Sequence, residues 1–180
     1  MFDEVYLTGF KKFGNCSVNP TQMIAEHYLK STIAGLHSAV VEVTTKDVDA
    51  YINSMKKIIA DMGTKKILNL HFGVGPNKIY HLERCCYNNK DFGIPDNLGY
   101  QPKNEQICKD TDLDCPINCK LDLLAIENKL GKKHQLQQSD DPGRYLCNYI
   151  YFQSSHELSL KNENVCSLFV HFPDLKISSH

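Results

Sequence analysis

Residues 47–75 read DVDAYINSMKKIIADMGTKKILNLHFGVG, and the hydrophobic period changes once along them. Up to Met62 the apolar residues Val48, Tyr51, Ile52, Met55, Ile58, Ile59 and Met62 recur three and four apart, the spacing of one helix face. Gly63 supplies the stop, because helices commonly end on a residue in the left-handed region. From Ile67 to Phe72 the chain is short and apolar, as in a buried strand. A helix over 47–62 that turns tightly into a strand is half of a β-α-β unit. Its apolar stripe is core, not a cofactor pocket.

The same alternation runs along the rest of the chain. Strands are predicted at Val5–Leu7, Ala39–Thr44, His134–Gln138 and Val165–His171. Asn19-Pro20-Thr21 opens a helix with a cap and a proline in the first turn, and Ile24, Tyr28 and Ile33 share its apolar side. Another helix is expected over 117–130, with Leu121, Leu124 and Ala125 on one side and Gly131 as its stop, and a further one begins near Cys147. Strands alternating with helices predict an α/β fold: a three-layer α/β/α sandwich around a mostly parallel twisted sheet. At 180 residues, 42% of them hydrophobic, the chain fits one compact domain, 1–180.

The formal net charge is −1 and Lys and Arg are scattered, so there is no electrostatic footprint for nucleic acid or an anionic membrane. No secretory leader and no membrane-length apolar run is evident, and a soluble protein of the cytosol is the expectation. In that setting the eight cysteines are free thiols, and the sequon Asn15-Cys16-Ser17 is fortuitous. Cys108, Cys115 and Cys119 cluster in a polar stretch without the paired spacing of a zinc site, so no metal is expected. Gly73 and Gly75 lack the Lys-Ser/Thr ending of a phosphate loop, which argues against a nucleotide. The stretch from Asn88 to Asp110, rich in Asn, Asp, Gly and Pro, reads as a long loop of the kind that serves as a lid.

In parallel α/β sheets, ligands sit outside the carboxyl ends of the strands. Cys147 follows such an exit and opens a helix, where the helix N-terminus would stabilise a thiolate. His171 ends the last strand, which is expected to lie beside the 134–138 strand, so both would emerge at one edge with Glu83. A cysteine, a base and a carboxylate that orients the base are the parts of thiol catalysis. Each residue also has a plain structural reading: Cys147 as packing, His171 capped by backbone, Glu83 as a surface partner of Arg84. A thiol redox role is disfavoured because Cys147 has no CxxC partner.

Five segments then appear in a telling order: Thr8-Gly9-Phe10-x-x-Phe13-Gly14 with Asn19-Pro20; Leu82-Glu83-Arg84; Ile94-Pro95-Asp96-Asn97; Gly143-Arg144-Tyr145-Leu146-Cys147-Asn148-Tyr149; and Phe169-Val170-His171-Phe172-Pro173. In this order and over nearly the whole chain, the sequence resembles the pyrrolidone-carboxylate peptidase family of cysteine peptidases. The resemblance implies hydrolysis of an N-terminal pyroglutamyl residue from peptides, without a cofactor. It implies Cys147 as nucleophile, His171 as the base and Glu83 as the group that holds the imidazole. It further implies a lactam pocket in which Phe10 and Phe13 sandwich the ring, Ile94, Tyr145 and Leu146 form walls, and Asn19 supports the Phe loop. Packing is the plain alternative for the two phenylalanines, and helix capping would explain Asn19 equally well.

The sequence also departs from the family pattern. Lys12 stands where a proline is usual, Gly93 where bacterial members carry an arginine, the loop before Glu83 is one residue short, and little of the last helix follows Pro173. The alternative is therefore a family member that binds peptides or another ligand without turnover. Monomer and homo-oligomer both stay open.

Overall fold

The structure, a computed structural model, describes residues 1–14, 18–76 and 78–174, so the Asn15-Cys16-Ser17 sequon lies outside the described residues. Strand β1 (Glu4–Phe10) leads to helix α1 (Pro20–Leu29), then β2 (Leu36–Val41), α2 (Thr45–Asp61) and β3 (Ile67–Gly75). Next come β4 (Tyr80–Glu83), β5 (Cys85–Tyr87) and β6 (Pro116–Asn118), followed by α3 (Leu123–His134) and β7 (Leu136–Ser139). Helix α4 (Leu146–Ser154) runs into a π-helical turn (Ser155–Ser159), and β8 (Val165–Pro173) completes the order. The main sheet is ordered β2-β1-β3-β8-β4-β7, and β5 pairs with β6 in a separate ribbon. β2, β1, β3 and β8 are mutually parallel, so the sheet is mostly parallel with helices packed against it.

Local sequence explains the helix starts. Asn19 accepts hydrogen bonds from the Thr21 backbone N–H (3.0 Å) and hydroxyl (2.8 Å), and Pro20 sets the first turn of α1. Thr44 caps α2 by accepting from Asp47 N–H at 3.0 Å, and Gly63 follows that helix with φ +61°. Val48, Ile52, Met55 and Ile59 are buried on the expected stripe.

The two faces have separate cores. One joins α2 and α4 to the sheet through residues such as Tyr6, Phe10, Met55, Ile150, Phe152 and Phe169. The other gathers Leu82, Leu123, Leu136, Leu168 and Val170 beneath α3, with α1 on the same side over Leu7 and Leu70. Among the described residues no helix is long and apolar enough to cross a membrane.

Several expectations need correction. The expected neighbours 134–138 and 165–171 are not adjacent: β4 lies between β7 and β8. β4 runs antiparallel to β8, and β7 follows β4. The cause is the link 76–79 between β3 and β4. A parallel return needs a crossover of about a dozen residues or more, so a link this short can only reverse the chain. β7 consequently leaves the sheet at the end opposite to β8.

The helix expected over 117–130 begins only at Leu123, because Asp122 caps it by accepting from Ala125 N–H (2.9 Å) and 116–118 is extended against β5. Gly131 lies inside α3, which ends at Gln135 in the left-handed conformation. Leu124 is exposed and Leu123 takes the buried side, while Ile33 lies beyond the end of α1 and is exposed.

Candidate active site

The face under α2 and α4 places polar residues in rows across the strands. Thr8 is in register with His71 and His71 with Phe169; two residues further on, Gly73 aligns with His171, and His171 with His81. Side chains two apart on a strand share a face, so His171 and Glu83 meet as a diagonal pair across β8 and β4. His171 Nδ1 lies 2.7 Å from Glu83 Oε1, and Glu83 is fully buried. The link before Glu83, short relative to the family pattern, therefore still delivers its carboxyl to the imidazole. Arg84 turns away and pairs with Asp140 at 3.2 Å, so Glu83 is not its surface partner. Tyr151, from α4, donates its hydroxyl to the Glu83 carbonyl at 3.0 Å and fixes the end of β4.

Cys147 occupies the first turn of α4, directly above Gly73. A Cβ added at Gly73 would stand 2.9 Å from Cys147 Sγ and 2.6 Å from Phe169 Cζ. Only glycine lets the sulfur settle onto the strand beside His171. With Nδ1 committed to Glu83, Nε2 is the ring nitrogen left to interact with Cys147. Burial disfavours the protonated ring, but the charge of Cys147 and hydrogen bonds to Cys147 and Glu83 outweigh it and lift the His171 pKa to about 10. No side chain caps the start of α4, which leaves its first amide N–H groups beside the sulfur.

Next to Cys147 is a small hollow of about 20 Å³, lined by Phe10, Phe13, Asn19, Val43, Gly73, Val74, Tyr145, Leu146 and Cys147. That is room for about one water. Five of the six expected pocket residues, Phe10, Phe13, Asn19, Tyr145 and Leu146, thus converge on the thiol. Ile94 does not line the hollow: it is 44% exposed and packs near Gly14, one residue beyond Phe13. Two larger apolar troughs, about 760 and 580 Å³, lie on the α1/α3 face, away from this chemistry. Among the described residues no cluster of three His, Cys, Asp or Glu is arranged to hold a metal.

Several supporting residues had no role legible in the sequence, even where they lie in the family-like segments. Phe92 packs edge-on against the Tyr145 ring at 4.8 Å, and Tyr145 donates its hydroxyl to the Pro95 carbonyl at 3.1 Å. Asn97 donates to the Lys12 carbonyl (3.0 Å) and to Glu42 (2.8 Å), tying the Phe loop to the long 88–110 stretch. That stretch is pinned rather than loose: Asp96 accepts from the backbone of Thr45, Leu98 and Tyr100, and Asn88 bonds the backbone of Ile107, Cys108, Thr111 and Asp112. Asn148 locks the start of α4 by accepting from Tyr87 N–H and donating to the Tyr87 and Asn89 carbonyls.

His71 lies one row deeper. Ser154 donates to the Tyr151 carbonyl, so it accepts from His71 Nε2–H (2.9 Å), and Thr8 donates to Nδ1 (2.7 Å). Burial lowers the His71 pKa to about 3, which keeps the ring neutral as a strut between β1, β3 and α4.

A buried carboxyl, an imidazole and a cysteine at a helix start, set on an α/β sheet, define a thiol hydrolase of the cysteine peptidase class. The comparisons agree. The family model for pyroglutamyl peptidases matches residues 3–178, and the chain belongs to that family. It is similar to the pyrrolidone-carboxylate peptidase of Thermococcus litoralis, at 31% identity over 94% of this chain and 76% of the relative. The corresponding protein of Oceanobacillus iheyensis is 29% identical over 94% of this chain and 83% of its own length. Among solved structures, the T. litoralis pyrrolidone carboxyl peptidase superposes with a TM-score of 0.84 at 29% identity, over 95% of this chain and 76% of that one. The Pyrococcus furiosus enzyme gives 0.83 at 27%, over 95% and 81%.

Proposed function

We propose that this protein is a cysteine exopeptidase that removes an N-terminal pyroglutamyl residue from peptides and releases 5-oxoproline. The observation that carries the reading is the 2.7 Å His171–Glu83 contact beside Cys147, next to a hollow walled by Phe10, Phe13 and Tyr145. Cys147 attacks the pyroglutamyl carbonyl as a thiolate while His171 holds the proton. The oxyanion meets the uncapped N–H groups of α4, and His171 then protonates the leaving amine. Water, deprotonated by His171, cleaves the thioester and regenerates the thiol. Glu83 keeps the imidazole in one tautomer and orientation throughout.

The lactam is neutral, flat and mostly apolar, as the aromatic walls require. At about 20 Å³ the hollow holds no such ring, so binding displaces Phe13 and Tyr145, whose rings stand 5.9 Å apart at its border. Under reducing conditions a pyroglutamyl aminocoumarin is expected to be hydrolysed, and the prolyl analogue, which lacks the ring carbonyl, to be rejected by on the order of 10³-fold or more. A folded protein that turns over neither, or both equally, would refute the activity.

Glu83→Gln tests the imidazole's support. The carboxyl contributes to raising the His171 pKa to about 10, so its loss lets the ring deprotonate at lower pH. The alkaline limb of kcat/KM, which reports the proton needed by the leaving amine, should shift to lower pH and the maximum should fall. A limb in the same place as the parent's would remove Glu83 from the mechanism.

A further inference from the structure

The Glu83 carboxyl has few holds of its own. Its Oε1 meets His171 Nδ1 at 2.7 Å, and its buried Oε2 has no hydrogen-bond partner among the described residues. Glu83 also stands at a corner of the sheet. The register of β4 with β8 covers His81 and Leu82 and stops before Glu83, and from Arg84 the chain turns into the separate β5-β6 ribbon. With no second bond on the carboxyl, its aim at the imidazole follows the backbone of Glu83.

That backbone is held from α4. Tyr151 comes four residues after Cys147, so the two side chains leave one face of the helix a turn apart. Tyr151 is fully buried, and its hydroxyl donates to the Glu83 carbonyl at 3.0 Å. Its ring packs at 6.0 Å on Phe169, whose ring lies 4.7 Å from that of His171. Burial, with the thiols of Cys119, Cys86 and Cys85 nearby, pushes the Tyr151 hydroxyl well above the usual phenol range, so it stays protonated and a donor. One helix thus carries both the sulfur and the group that fixes the strand bearing the carboxyl.

We infer that Tyr151 is a positioning residue of the reaction: through the Glu83 backbone its hydroxyl holds the carboxyl in line with His171 and ties that alignment to the helix that seats Cys147. This rests on the proposed exopeptidase reading. Without the hydroxyl the Glu83 carbonyl is left unpaired in a dry site, the end of β4 relaxes, and the carboxyl loses its alignment. Cys147 from α4 and Glu83 and His81 from β4 are the titratable groups on the side of the His171 ring, and none of them is altered in Tyr151→Phe. Cys147 and Glu83 together hold the His171 pKa at about 10, so a misaligned Glu83 lets the ring deprotonate at lower pH.

The test follows the His171 imidazole by NMR as a function of pH, assigned with His171→Gln, in the parent, Tyr151→Phe, Glu83→Gln and the double variant, beside kcat and KM for the pyroglutamyl aminocoumarin. Tyr151→Phe should move the His171 titration and the alkaline limb to lower pH and reduce kcat about tenfold with KM within about twofold, the scale of one buried hydrogen bond. In the Glu83→Gln background the same substitution should move the titration no further, because it acts through the carboxyl. Tyr149→Phe, which deletes a 2.7 Å hydrogen bond from the same helix to Asp49, should cost stability and leave the titration in place. Tyr151→Met also lacks the hydroxyl and takes the place of Tyr151→Phe if that variant fails to fold. An unmoved His171 titration in the Tyr151 variants, or the same shift with and without Glu83, overturns the role. The titration needs no turnover: a parent that hydrolyses nothing removes the exopeptidase activity, while the His171 shift still decides whether Tyr151 aligns the pair.

Discussion

Cys147→Ala is expected to lower turnover of a pyroglutamyl arylamide by on the order of 10⁴-fold or more, the scale seen when a nucleophile is deleted from a triad. The loss should fall in kcat. The substitution leaves Phe10, Phe13, Tyr145 and Leu146 unchanged, so the lactam still binds. Folding should be nearly untouched, because the sulfur is half-buried beside an existing void and α4 is held by Asn148 and by its own buried face. Steady-state kinetics together with a thermal melt checks both halves. Activity within tenfold of the parent would exclude Cys147 as nucleophile, and a large fall in the melting midpoint would give the thiol a packing role instead.

The second large effect is expected at Gly73, which takes no part in the chemistry. Gly73→Ala forces a methyl to 2.9 Å from Cys147 Sγ and 2.6 Å from Phe169 Cζ. Phe169 is fully buried against Tyr151 and His71, so it has little room to retreat, and the sulfur and the first turn of α4 must move instead. A displacement of about 1 Å at a reacting atom costs about 10²-fold, and overpacking a core costs about 1–3 kcal/mol. We expect kcat/KM to fall by about 10²- to 10³-fold with a modest drop in stability, read by kinetics and denaturant unfolding on the same protein. Unchanged alkylation of Cys147 and unchanged kinetics in Gly73→Ala would show that the sulfur does not depend on this close approach.

Local patterns were legible wherever a long period or a cap declared itself. Val48, Ile52, Met55 and Ile59 repeat over about three turns of α2, and Asn19-Pro20-Thr21 names its own helix start. Cys147, His171 and Glu83 do lie together, but not because the 134–138 and 165–171 segments are neighbours with a common exit. β4 was illegible because YHLE is too short to show a period, and its place depends on pairing with β8 about ninety residues later in the chain. Glu83 thus reaches His171 diagonally from an antiparallel neighbour, not from a shared strand exit. Ile94 shows the reverse case: its segment matches the family, but its side chain stops at the Gly14 turn short of the hollow.

Sequence alone was enough for the α/β class and the family, because period, caps and ordered motifs are properties of neighbouring residues. The strand order, the direction of β4, the seat of Cys147 over Gly73 and the reach of Tyr151 from α4 to Glu83 had to await the folded chain. Those features arise where segments distant in sequence are brought within a few ångströms by packing and cross-strand hydrogen bonds, and no local pattern encodes which distant strand will be the neighbour.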